Sequence, residues 1–170
     1  MPNSSRSYEP IDRSDLVRLA GIARADLSDF FARKPRYSVL ADRLICVALC
    51  QGAALHYVDG KNGVKDFDVW AFFAAHPNVP SFPWRRRKAH DFGGPKFGPS
   101  PDHPDFVGRH VDLLGRSLRA AEGTDPAVVL RGYLSEGKTK TASRLSEKAV
   151  VLLEPVDRLG TVVWPIGYDG

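Results

Sequence analysis

Two aspartates separated by a single apolar residue, Asp66-Phe67-Asp68-Val69, are the side chains of this sequence best suited to chemistry. On a strand, positions i and i+2 face the same way, so these carboxylates project together, about 7 Å apart at Cα, while Phe67 and Val69 pack behind them. Like charges held in this way repel, and a bound cation removes that cost. The segment His110-Val111-Asp112-Leu113-Leu114 offers a third carboxylate in the same apolar–acid–apolar alternation. If its strand lies beside the first, the three carboxylates converge into a set that suits hard, oxygen-seeking ions such as Mg2+ or Mn2+. Two such ions about 4 Å apart can activate an attacking hydroxyl and stabilise a leaving pyrophosphate.

The elements that must position these residues are readable in part. Asp12 or Ser14 caps a helix whose apolar residues Leu16, Leu19, Ala20, Ala23, Leu27, Phe30 and Phe31 recur at spacings of three and four, and Pro35 ends it. Leu40 to Cys50 reads either as a helix running into a short buried strand or, together with Gln51 to Val58, as one long helix enclosing Gly52, and periodicity does not separate the two. A turn cluster at residues 59–63 precedes a predicted strand from Val64 to Phe73. The Gly- and Pro-rich stretch from Asp91 to Pro104 predicts a long irregular connection, and His110 to Leu114 a second strand. Asp125-Pro126 opens a helix to about Leu134. Thr141 to Leu153 predicts another helix, and Thr161 to Trp164 a small terminal strand. The chain is read as a flexible N-terminus over residues 1–11 and a single domain over 12–170, with a helical segment near its C-terminus.

The order Gly52-Ala53, then Asp66-Phe67-Asp68-Val69, then Val111-Asp112-Leu113 resembles the DNA polymerase beta-type nucleotidyltransferase superfamily. Its signature is a glycine pair opening a helix, a strand with two alternating acids, and a separate strand with a third. Gln51-Gly52-Ala53-Ala54-Leu55-His56 is further similar to a segment of the nucleotidyltransferase toxins of bacterial toxin–antitoxin systems. The resemblance covers roughly Leu44 to Leu114. It implies an α+β fold in which a small mixed β-sheet carries the acidic site and helices flank it. It also implies that Asp66, Asp68 and Asp112 are catalytic and hold two Mg2+ or Mn2+ ions, while the Gly52 and Ala53 backbone approaches a nucleoside triphosphate. The expected reaction moves a nucleoside monophosphate to a hydroxyl acceptor, with RNA or tRNA as one acceptor class and a cognate antitoxin as a protein partner. Two departures stand out: Gln51 replaces the first glycine and Ala53 the usual Ser or Thr, which removes a hydroxyl from the phosphate side. Ala53 motivates an alternative, a catalytically silent binding or regulatory protein on the same fold.

Among the basic residues, Arg85, Arg86, Arg87, Lys88 and Arg109 are candidates to neutralise triphosphate or acceptor charge. Arg116 flanks the third-acid strand as Arg109 does, and Lys96 in the glycine-rich loop could reach a phosphate. Lys65 is assigned to the face opposite the acids, Trp70 to their own face, and His56 to packing. Asp91-Phe92-Gly93 resembles a kinase tripeptide, but the other kinase motifs are missing. A phosphatase of the haloacid dehalogenase type would need a hydrophobic strand ahead of Asp66, and Gly63-Val64-Lys65 is a poor one.

Composition narrows the classes. With 43% hydrophobic and 26% charged residues in 170, the chain has a globular balance. Its net charge of +4 suits a polyanion partner without requiring one. Cys46 and Cys50 sit in or beside an apolar run and read as buried thiols of a reducing compartment. No apolar stretch reaches membrane-spanning length, and the chain is expected to be cytoplasmic with no membrane partner.

Overall fold

The computed structural model describes residues 5–83, 86–121 and 123–167. Its centre is a six-stranded mixed sheet in the order β3-β4-β2-β1-β5-β6. The strands are β1 (Leu44–Cys50), β2 (Phe67–Ala74), β3 (Lys88–Asp91), β4 (His110–Leu118), β5 (Ala149–Glu154) and β6 (Val162–Trp164). Only β2 and β4 run parallel; the other neighbours are antiparallel. Among the described residues, four α-helices flank the sheet: α1 (Arg13–Arg33), α2 (Gln51–Asp59), α3 (Pro126–Glu136) and α4 (Lys140–Leu145). The fold is thus a mixed α+β one. None of its described helices is long and apolar enough to cross a membrane.

Period-two alternation sorts every central strand onto two faces. Val47 and Leu49, Val69 and Phe73, Val111 and Leu113, and Val151 and Leu153 meet the apolar stripe of α1, from Leu16 to Phe30. The alternate residues, including Ala48, Phe72, Leu118, Val150 and Leu152, meet Leu130 and Leu134 of α3 and Leu145 of α4. The result is a helix–sheet–helix sandwich, and the acids of β2 and β4 fall on the α3/α4 face.

Local capping fixes the helix starts. Asp12 is the N-cap of α1, and its carboxylate and that of Asp15 each accept the other's backbone N–H in a capping box. Lys96 reaches both carboxylates, at 3.2 and 2.6 Å, so its amine serves α1 and not a phosphate. Asp125 caps α3 ahead of Pro126.

Two sequence expectations are corrected. Residues 35–43 form a 3-10 segment, and Leu44–Cys50 is wholly strand, which excludes one long helix. The helix expected over Thr141 to Leu153 stops at Leu145, and Ala149–Glu154 is a central strand buried on both faces. In the lead-in to α1, Ser7 bridges Val64, Glu9 O meets His56 Nε2 at 2.9 Å, and Ile11 is buried. Residues 1–4 lie outside the described residues.

Candidate functional site

Parallel pairing of β2 with β4 sets Asp68 directly beside Asp112. The row continues across the sheet, since Cys50 of β1 pairs with Asp68 and Ala89 of β3 with Asp112. Adjacent strands are about 4.8 Å apart, so the two carboxylates spring from neighbouring points on one face. Asp66 lies one residue ahead of β2 and enters the same cleft, where the Ser100 hydroxyl donates to its Oδ1 at 2.8 Å. Ser100 Oγ in turn accepts the His110 backbone N–H at 3.2 Å, tying the loop before β4 to the acid.

Cys50 is also the N-cap residue of α2, so the helix begins where the acidic row begins. No side chain caps this helix. Gln51 has φ 62°, and a left-handed residue directly ahead of a helical turn gathers successive N–H groups into one concavity that favours anions. Ala53 is buried in the first turn and brings no hydroxyl.

These parts line a cleft of about 310 Å³. Its other walls are Arg6, Lys65, Trp70, Arg87, Leu114, Arg144 and Lys148. A Cβ built on Gly52 would come within 3.8 Å of both Arg6 Nη1 and Lys148 Nζ, so cations flank the helix start. Among the described residues, Arg6, Lys65, Arg144 and Lys148 enter no ion pair. A second chamber of about 440 Å³ adjoins, sharing Trp70, Arg87, Leu114 and Arg144 and adding Lys140, Thr141 and Leu145.

The electrostatics of the acidic row follow from burial. Asp112 is 3% exposed, and its carboxylate is paired with the Arg87 guanidinium. Burial, then the charges of Asp112 and Asp66, push the Asp68 carboxyl up to about 6. The Cys50 thiol is raised well above its ordinary value by burial and by Asp68; both cysteines are free and buried, as expected. Beside Asp66, His110 stacks on His103 with ring centroids 3.9 Å apart, and burial together with that neighbour lowers its pKa.

The residues anticipated from the sequence separate into two groups. Asp66, Asp68, Gly52, Ala53 and Arg87 line the cleft, and Trp70 stands on the acids' face; Asp112 sits buried beside Asp68, under its Arg87 partner, and does not itself line the cleft. Arg86 does not reach it: its guanidinium forks onto buried Asp26, both bonds 2.8 Å, and lies over the Phe30 ring on the α1 side. Lys88 faces that side as well, opposite Leu113. Arg109 is buried and donates to the carbonyls of Ser5, Lys65 and Phe97, which leaves it a structural brace. Arg116 donates to Thr141 Oγ1. Arg85 lies outside the described residues. His56 is packed, with Nδ1 accepting from Gly63 N and Nε2 meeting Glu9 O.

Lys65, assigned to the opposite face, is instead in the cleft, because β2 starts only at Phe67 and the alternation does not extend back to it. Arg6, Arg144 and Lys148 were missed. For the last two a signal existed: Lys140, Arg144 and Lys148 recur at intervals of four.

Whether the acids suit a divalent ion can be judged from their chemistry. Among the described residues, no three His, Cys, Asp or Glu side chains come together closely enough to hold a metal ion as they stand. Two of the three acids are otherwise engaged, Asp112 with Arg87 and Asp66 with Ser100. The donors are nevertheless all hard oxygens, they repel one another at Asp68, and they have drawn in a guanidinium as counter-charge. Carboxylate oxygens are the donor type that hard cations take. In comparisons with known proteins, no family model matches the chain, and neither a curated protein nor a solved structure does.

Proposed function

We propose that the chain is a metal-dependent nucleotidyltransferase that moves a nucleoside monophosphate from a triphosphate to a hydroxyl acceptor. The observation that carries the reading is the pairing of Asp68 with Asp112 on adjacent parallel strands, beside the uncapped start of α2. Asp66, Asp68 and Asp112 would hold Mg2+ or Mn2+, two ions in the full site. Bound there, the ions would supply Lewis-acid activation of the acceptor hydroxyl and charge neutralisation on the leaving pyrophosphate.

The chain's own groups do the rest. The first N–H groups of α2 receive a phosphate oxygen, and Arg6, Lys65, Arg144 and Lys148 offset triphosphate charge. Trp70 and Leu114, shared by both chambers, offer an apolar wall for the nucleoside. Asp112, once released from Arg87, would take the acceptor proton as the acceptor oxygen bonds to the α-phosphorus and the bond to the β-phosphate breaks. RNA, including tRNA, is the acceptor class that suits the basic cleft best, and a cognate antitoxin is the expected protein partner. Two free, buried thiols favour a reducing, cytoplasmic setting.

Ala53 and the Arg87–Asp112 pair favour one second reading, a nucleotide-binding protein on this fold without turnover. Isothermal titration with each nucleoside triphosphate and Mg2+, followed by label transfer from α-labelled triphosphate to total RNA, separates the readings. Binding with transfer supports the enzyme, and binding alone supports the second reading. No binding, or equal binding by the double variant Asp66→Ala/Asp68→Ala, removes both.

A further inference from the structure

On the opposite side of the sheet from the acids, a groove of about 590 Å³ opens where α1 ends. It shares no lining residue with the acidic cleft or its adjoining chamber. Its floor is apolar, made by Phe30, Tyr37 and Pro83, and its rim is cationic. Two of its guanidiniums are already neutralised, Arg33 by Asp29 and Arg86 by Asp26. Among the described residues Lys34, Arg36 and Lys88 enter no ion pair, although the charge of Lys88 helps to lower the Asp29 carboxyl from a distance. A cation at the end of α1 is favoured by the helix dipole, which accounts for Lys34. It does not account for Arg36, beyond the helix, or for Lys88, on another strand.

We propose that this groove docks an acidic peptide segment of a partner protein, with one apolar side chain seated on the floor and Asp or Glu on either side of it. The charge left on the rim calls for an anion, and the floor for an apolar anchor. The floor is poorly made for nucleobases, which stack on open ring faces. Tyr37 is already stacked on Phe30 at 5.4 Å and lies under Arg36 at 4.7 Å, and Phe30 also carries Arg86 at 4.4 Å. Lys88 belongs to β3, one of the sheet's two edge strands, where an extended peptide can add backbone hydrogen bonds.

The test is fluorescence anisotropy of the full chain with a labelled dodecapeptide rich in Asp and Glu around one central Phe. A peptide with Phe replaced by Gly and a labelled single-stranded RNA dodecamer serve as comparisons. The expected result is saturable binding of the Phe peptide that weakens with salt. It should fall about tenfold in the double variant Lys34→Glu/Lys88→Glu, and by a similar factor when the anchor is removed. Both substituted lysines are exposed, so an unchanged thermal melt confirms that the fold is intact. No peptide binding, binding indifferent to the double variant or to the anchor, or RNA bound more tightly and lost with the same variant overturns the proposal.

Discussion

Asp68 and Asp112 face each other in register across two parallel strands, and the burial of this pair sets a cost on the folded chain. Burial and the neighbouring acids push the Asp68 carboxyl up to about 6 in the folded chain, from 3.8 when unperturbed. Between those values the native state holds more protons than the unfolded one, so stability falls as pH rises through the window. Above it the penalty is complete, at most about 3 kcal/mol. Asp68→Asn should therefore be more stable than wild type in urea titrations at pH 7.5 with chelator, by about 1–3 kcal/mol, and the gain should shrink towards pH 4. An asparagine variant no more stable at pH 7.5 would contradict this account.

Arg87 is the counter-ion of buried Asp112, and any divalent ion must compete with it. Arg87→Ala should bind Mn2+ more tightly by calorimetry without nucleotide, by roughly five- to tenfold, because a mostly exposed guanidinium contributes on the order of 1 kcal/mol. Unchanged or weaker Mn2+ binding would remove Arg87 from that competition.

Gln51 holds a backbone conformation that favours glycine. Gln51→Gly should stay within about 1 kcal/mol of wild type, since relief of strain offsets the greater freedom of glycine in the unfolded chain. Gln51→Val, branched at Cβ, should cost about 1–2 kcal/mol by the same urea titration. Equal stability of the two variants would mean that the turn is less constrained than its φ indicates.

The basic residues should separate by experiment as they do in space. Arg144→Ala and Lys148→Ala should each weaken triphosphate binding roughly three- to tenfold while leaving the thermal melt near wild type. Arg86→Ala should do the reverse, lowering stability by about 2–4 kcal/mol because buried Asp26 loses its two guanidinium hydrogen bonds and keeps, among the described residues, only His90 at 3.5 Å. A triphosphate affinity lowered by Arg86→Ala and untouched by Lys148→Ala would invert the assignment.

What could be read from the sequence follows the range of the forces involved. Helix α1, its cap and its stop depend on neighbours within four residues, and they were legible. So was the facing of Asp68, which needs only the period of a strand. The apolar run at Ala149–Glu154 reads as helix in the sequence because a short strand buried on both faces shows no alternation. Arg86, Arg87 and Lys88 looked like one patch, yet entry into an edge strand sends neighbouring side chains to different faces. One goes to Asp26, the next to Asp112 and the third to the groove by α1. Arg6 was invisible, since its place depends on the Ser7–Val64 bridge between distant segments.

The parallel pairing of β2 with β4 has one more consequence. Parallel neighbours cannot be joined by a tight turn, so everything from Ala75 to Arg109 must be traversed before Asp112 meets Asp68. The acidic row therefore has no local precursor: a chain with either strand misplaced lacks it altogether. A ligand of that row recognises only finished molecules, and its binding stoichiometry counts the folded fraction of a sample.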